Sequence, residues 1–199
     1  MKTLDRVPPK VEASELSIPE AEIVTPKAGL FWGALRMLMG FTFLWAFVDK
    51  MFALGFSTGR NPETGAIDFF GPDAWISGGS PTDGVLEFGL HTKAPFQGFY
   101  EGLVGATWVE WAYMLSMLFI GVALMLGIGT RLAAIGGIVW MAIFYTATAF
   151  LPEHNPIVDN HVIYAVILAG IAYVGAGRFL GFGKRWRKTA FVQKHPILE

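Results

Sequence analysis

Two long apolar stretches dominate the second half of this chain, residues 111–128 and 132–151, separated only by Gly129, Thr130 and Arg131. At 1.5 Å per residue each is about as long as the roughly 30 Å hydrocarbon core of a bilayer is thick. Spans joined by so short a turn must be antiparallel neighbours. Gly127 and Gly129 suit the end of the first helix, and Thr130 suits the start of the second. Two further apolar stretches flank this hairpin, so the pattern predicts an all-α integral membrane four-helix bundle. Its spans are expected at about residues 28–50, 108–128, 131–151 and 161–181.

The polar stretches divide the rest. Residues 1–27 carry Pro8, Pro9, Pro19 and Pro26 among charged side chains and read as a disordered tail. The apolar run that follows is longer than a signal peptide's core, so helix one is expected to be retained rather than cleaved. Between residues 52 and 107 lies a Gly-, Pro- and aromatic-rich connection, long enough to have structure or function of its own. It is expected to cap one end of the bundle, with short interfacial helices near residues 73–76 and 95–103. Residues 183–199 form a basic tail.

Charge sets the orientation. Arg131, Arg178, Lys184, Arg185, Arg187 and Lys188 fall on one side with the N-terminal tail, while the long loop is mainly acidic. By the positive-inside rule both termini are cytoplasmic and the long loop faces outward. The net charge of -1 adds little, because sidedness matters more than the sum. Composition agrees with a bilayer environment: 53% of residues are hydrophobic and mean hydropathy is +0.47, too apolar for an ordinary soluble domain. No cysteine is present, which excludes disulfides, thiolate metal sites and thiol redox chemistry within the chain.

Polar groups inside spans are the candidates for chemistry, since a charge near the bilayer centre costs on the order of 3 kcal/mol and needs a partner or an exit. Arg36 shares a helix face with Gly33, Gly40, Phe43, Phe47 and Lys50. It reads either as a polar contact within the bundle or as an anchor snorkelling to lipid phosphates. Helix two carries Glu110 at its outer end on a stripe with Met114, Met117 and Gly121, helix three carries Tyr145, and helix four carries His161 and Tyr164 one turn apart. If these stripes converge, Lys50, Glu110, Tyr145, His161 and Tyr164 line a pocket beneath the long loop, able to hold a polar or redox-active head group. Individually they have plainer readings: Lys50 and Glu110 as interfacial charges, His161 as a helix cap, the tyrosines as belt residues. His154 and His161 are a poor haem pair and lack a third ligand at metal spacing, so neither haem nor a metal is expected. The run KRWRK directly after a span reads as a topology signal and lipid contact rather than a nucleic-acid site.

Taken together, LRMLMGFTFLWAFVDKMF in helix one, WISGGSPTDGVL in the loop, IGVALMLGIGTRLAA across the hairpin, NPIVDNHVIYAVIL entering helix four and GAGRFLG closing it resemble the DoxX/DoxD-like membrane family. The resemblance covers about residues 30–183. That family includes the membrane subunit of thiosulfate:quinone oxidoreductase, so the resemblance implies a multi-pass protein of a bacterial or archaeal cell membrane. It also implies a quinone-linked oxidoreductase subunit acting on thiosulfate or a related small anion, working with a partner subunit or as a homo-oligomer. In that reading His161, Glu110 and Lys50 are catalytic, and Arg36, Tyr145 and Tyr164 bind substrate. The alternative is a non-catalytic scaffold or assembly subunit of a larger membrane complex.

Overall fold

The computed structural model describes residues 24–198. The tail expected over residues 1–27 lies almost entirely outside that range. Within it the chain is helical, and three helices are long and apolar enough to cross a membrane: α1 (Pro26–Phe52), α4 (Thr107–Leu126) and α5 (Thr130–Thr148). Their lengths of 27, 20 and 19 residues correspond to about 40, 30 and 28 Å. The chain is therefore a membrane protein. A fourth apolar helix, α6 (Asn160–Tyr173), has 14 residues, about 21 Å.

Helix boundaries follow local chemistry. Thr25 caps α1, its hydroxyl oxygen accepting from the Ala28 amide at 3.3 Å, and Pro26 occupies the first turn, where a missing N–H costs nothing. Gly127, with φ of 75°, ends α4, and Gly129 takes the left-handed conformation that starts α5. The expected hairpin is thus present, but Gly129 rather than the expected Thr130 is the N-cap of α5, and no side chain caps it. Helix four ends earlier than expected, at Tyr173 rather than residue 181: Gly175 adopts φ of 59°, and Gly177 lies so near the Gly127 carbonyl that a Cβ there would be 2.7 Å from its oxygen. The chain then continues through a 3-10 turn at Ala176–Arg178.

Packing closes a ring. The main contacts are α1 on α4 and α5 on α6, with α4 against α5 and α1 against α6 completing the circuit. Small residues set the approach of α1 to α4: a Cβ on Gly121 would lie 2.6 Å from the Leu44 amide nitrogen, and one on Gly40 would lie 2.8 Å from that of Met125. Met39, Phe43, Met114, Met117, Leu124, Leu168 and Ile171 fill the centre. Leucine and phenylalanine side chains on the outside, including Leu38, Phe41, Leu115 and Phe119, are exposed, as expected of a surface solvated by lipid.

The end that holds the α4–α5 turn is termed the hairpin end, and the opposite one the loop end. Residues 53–106 fold over the loop end, but as more elements than expected. A 3-10 turn at Trp75–Ser77 sets the Trp75 ring against Trp111, centroids 4.7 Å apart. Helices α2 (Asp83–Phe88) and α3 (Gln97–Glu101) follow, of which only α3 falls where an interfacial helix was expected. Leu86 and Tyr100 pack with Ala147 of α5 as a second small core, and the His91 amide donates to the Ala147 carbonyl at 2.8 Å. Past the 3-10 turn, the basic C-terminal segment folds as α7 (Gly183–Trp186), α8 (Ala190–Lys194) and a last turn at Pro196–Leu198. Trp186 Nε1 donates to the Leu198 carbonyl, and Val192 is buried.

Candidate functional site, an apolar cavity under the loop

A cavity of about 350 Å³ lies at the loop end between α4, α5 and the segment holding α2 and α3. Trp108, Val109, Ala112 and Tyr113 of α4 form one wall, and Trp140, Ile143, Phe144 and Ala147 of α5 the next. Val85, Leu86, Phe99, Tyr100 and Leu103 form the roof. The roof is tied down by a 2.7 Å hydrogen bond between the hydroxyls of Tyr100 and Thr146. Ligand pockets typically enclose about 300–1,000 Å³ with apolar walls and a few placed polar groups, and this cavity matches that description.

Lys50, at the end of α1, is the one charged residue on the wall among the described residues. A short network holds it. Its ammonium donates to Ser57 Oγ at 3.2 Å, and Ser57 Oγ donates to Asp49 Oδ2 at 2.6 Å. The Asp49 carboxylate also accepts from the amides of Phe56 (3.0 Å) and Ser57 (2.9 Å) and is fully buried. Thus the acid in the last turn of α1 is spent on fixing the start of the loop, and through Ser57 it aims the lysine. Tyr113 is the second polar wall group of note. Its ring stands edge-on to Trp140 and Phe144, at 5.3 and 6.3 Å between centroids, and its phenol makes no hydrogen bond to any described residue. A cation and an unpaired phenol in an otherwise apolar chamber suit a flat, mostly apolar molecule that carries carbonyl or anionic oxygen.

Of the residues read from sequence as one pocket, the structure brings only Lys50 to this wall. Glu110 is half-buried on α4, three residues before Tyr113, and does not line the cavity. His161 hydrogen-bonds Asp159 at 2.5 Å, Asp159 caps α6 through the Val162 amide, and the imidazole lies 5.9 Å from the ring of Phe144, which does line it. Tyr145 donates to the Ile157 carbonyl at 2.9 Å and braces the α5–α6 connection, while Tyr164 packs against the main core. Asp49 and Tyr113 were missed. A signal existed for Tyr113, which stands three residues after Glu110 and four before Met117 and so shares their stripe.

Arg36 lies elsewhere, at the hairpin end. Fully buried, it donates to the carbonyls of Leu124 and Met125 at the end of α4 and to those of Phe179 (3.1 Å) and Leu180 (2.9 Å) after α6. Of its two sequence readings, the bundle contact is the one the geometry matches. The last carbonyls of α4 are all accounted for: Ala123 accepts from Gly127 and Ile128, Leu124 and Met125 from Arg36, and Leu126 from Phe182. A cation at a helix C-terminus also meets the negative end of the macrodipole. Among the described residues no group of three or more His, Asp or Glu is placed to hold a metal ion.

Compared with known protein families, curated proteins and solved structures, the chain matches none.

Proposed function

We propose that this protein is a membrane subunit of a quinone-linked oxidoreductase of the DoxX/DoxD-like kind, and that the loop-end cavity is its quinone site. The observation that carries the proposal is the chamber of about 350 Å³ with apolar walls, one lysine and one unpaired phenol. Trp108, Trp140 and Phe144 offer faces for a flat ring, and Lys50 offers a charge-assisted hydrogen bond to a carbonyl or to a small anion such as thiosulfate. A quinone bound there accepts two electrons and two protons. Tyr113 Oη would donate a hydrogen bond to a quinone carbonyl, and the roof formed by the α2–α3 segment would keep water from the ring. His161 and Glu110, one residue removed from the walls, pass protons between solvent and the chamber. The two electrons come from a partner subunit or directly from the small anion as it is oxidised.

In the same reading α6 completes a four-helix membrane bundle. Its 14 residues fall short of a bilayer core, and the irregular segment after it covers the remainder. Non-helical backbone at that depth is tolerated where protein satisfies it, which Arg36 does for Phe179 and Leu180. Both termini then face the cytoplasm with the basic hairpin end, and the cavity opens in the outward half. A second reading, an assembly subunit that docks on a larger complex, draws on the aromatic side chains the loop leaves exposed, Phe88 at 85% and Phe99 at 64%.

The test is organic extraction of the detergent-purified protein and chromatography for quinone, with Lys50→Met in parallel. Quinone retained by the native chain and depleted in the variant supports the site. With partner subunits present, loss of both retained quinone and thiosulfate-dependent quinone reduction in the native chain rules it out. Full activity of a complex that carries Lys50→Met and His161→Phe selects the assembly role.

A further inference from the structure

The hairpin end holds a second cavity, of about 40 Å³, walled by Arg131, Arg178 and Arg187 and by backbone at Gly127, Gly175 and Gly177. One water needs about 10–15 Å³ on this measure, so the space admits a few oxygen atoms, the scale of a phosphate group. Glycine makes the space: a Cβ on Gly177 would lie 2.7 Å from the Gly127 carbonyl oxygen and 2.9 Å from Thr130 Oγ1.

Three further observations bear on what enters. The segments 24–40, 126–131 and 173–198 build this end, and among the described residues they carry basic side chains at 27, 36, 131, 178, 184, 185, 187, 188 and 194 and no Asp or Glu. Arg178 gives one N–H to the Val174 carbonyl at 3.0 Å, its guanidinium stands 5.1 Å from the Phe179 ring centroid, and its buried Nε has no partner among the described residues. Helix α5, 19 residues long, starts at the cavity with no side-chain cap and no acid in its first turn, so its positive end faces the same space.

We propose that this cleft binds a phosphate group, gripped by arginine forks against the first turn of α5. Guanidinium is the side chain whose planar donors match phosphate oxygens in pairs. The turn between two helices suited to cross a membrane lies at headgroup depth, with Tyr173, 77% exposed, on the rim. The phosphate is therefore supplied by an anionic phospholipid or by a soluble phosphate compound.

Native mass spectrometry of the intact protein, released from detergent with added phosphatidylglycerol, phosphatidylcholine or inorganic phosphate, separates these sources. Retention of one phosphatidylglycerol in preference to phosphatidylcholine supports the lipid. A phosphate adduct with no preference between the lipids supports the soluble source. In either case Arg131→Gln with Arg187→Gln weakens retention by about tenfold or more, Arg178→Gln weakens it independently, and the paired Arg→Lys variants, which keep charge but lose the fork, fall between. Lys184→Gln with Lys188→Gln removes as much charge outside the cleft and leaves retention unchanged. Equal retention in the arginine and native forms, an equal loss in the lysine variant, or no retention of either probe overturns the proposal.

Discussion

Replacing Arg36 by methionine removes the polar group that joins the two halves of the hairpin end. Four carbonyls lose a charged donor: Leu124 and Met125 at the end of α4, Phe179 and Leu180 in the segment after α6. Each carbonyl left unpaired in a buried site costs about 1–3 kcal/mol. Against this stands the relief of removing a buried charge, which for whole ion pairs often cancels the loss. Here the partners are backbone and stay behind, so the cancellation is incomplete and a net loss of about 3–5 kcal/mol is expected. For a domain of this size that is about 6–20 °C of Tm. Arg36→Lys keeps the charge but not the four-way reach, and about half the loss is expected. The assay is thermal unfolding in detergent followed by intrinsic fluorescence of the seven tryptophans. Quinone retention at the loop end, measured below the new transition, should be unchanged. A methionine variant within about 1 kcal/mol of the native protein would refute the clamp. Quinone loss without a change in Tm would instead make Arg36 a binding residue.

Other substitutions probe the remaining contacts. Asp49→Ala should cost about 2–4 kcal/mol, because it removes three hydrogen bonds to Phe56 and Ser57, and hydrogen exchange should speed first at those two amides. Gly121→Ala forces a methyl to within 2.6 Å of the Leu44 amide nitrogen, so α1 and α4 must part, at about 1–3 kcal/mol read from the Tm. Tyr145→Phe breaks the bond to the Ile157 carbonyl for about 1 kcal/mol and should leave quinone retention intact, which separates bracing from binding.

Much of the fold was legible because hydropathy reports length and periodicity directly. The hairpin needed only two apolar runs and a Gly-Thr-Arg turn, and the small residues on the Arg36 face marked the side of α1 that packs on α4. Helix four was overextended because residues 174–181 are largely apolar, and its end depends on Gly175, which takes a positive φ, and on Gly177, whose missing Cβ matters only because Gly127 comes alongside. The site was harder. A stripe of spacing three and four names a face to within one residue on either side, and that uncertainty decides between Glu110 and Tyr113 at the cavity. Nor does spacing show that Asp49, adjacent to Lys50, turns inward to bind the loop while the lysine meets the chamber. Tyr145 and His161 stand at the expected end, but the Tyr145 hydroxyl is taken by the α5–α6 connection and one imidazole nitrogen of His161, Nδ1, by the acid that caps α6.

The central claim, that the loop-end cavity binds quinone through Lys50 and Tyr113, is tested most directly by titrating the purified protein with a short-chain quinone while following fluorescence of Trp108 and Trp140 in its walls. Saturable quenching is predicted, weakened about tenfold by Lys50→Met and less by Tyr113→Phe, as expected for loss of a charged and a neutral hydrogen bond. Quenching that does not saturate, or that saturates with the same affinity in all three proteins, would contradict it.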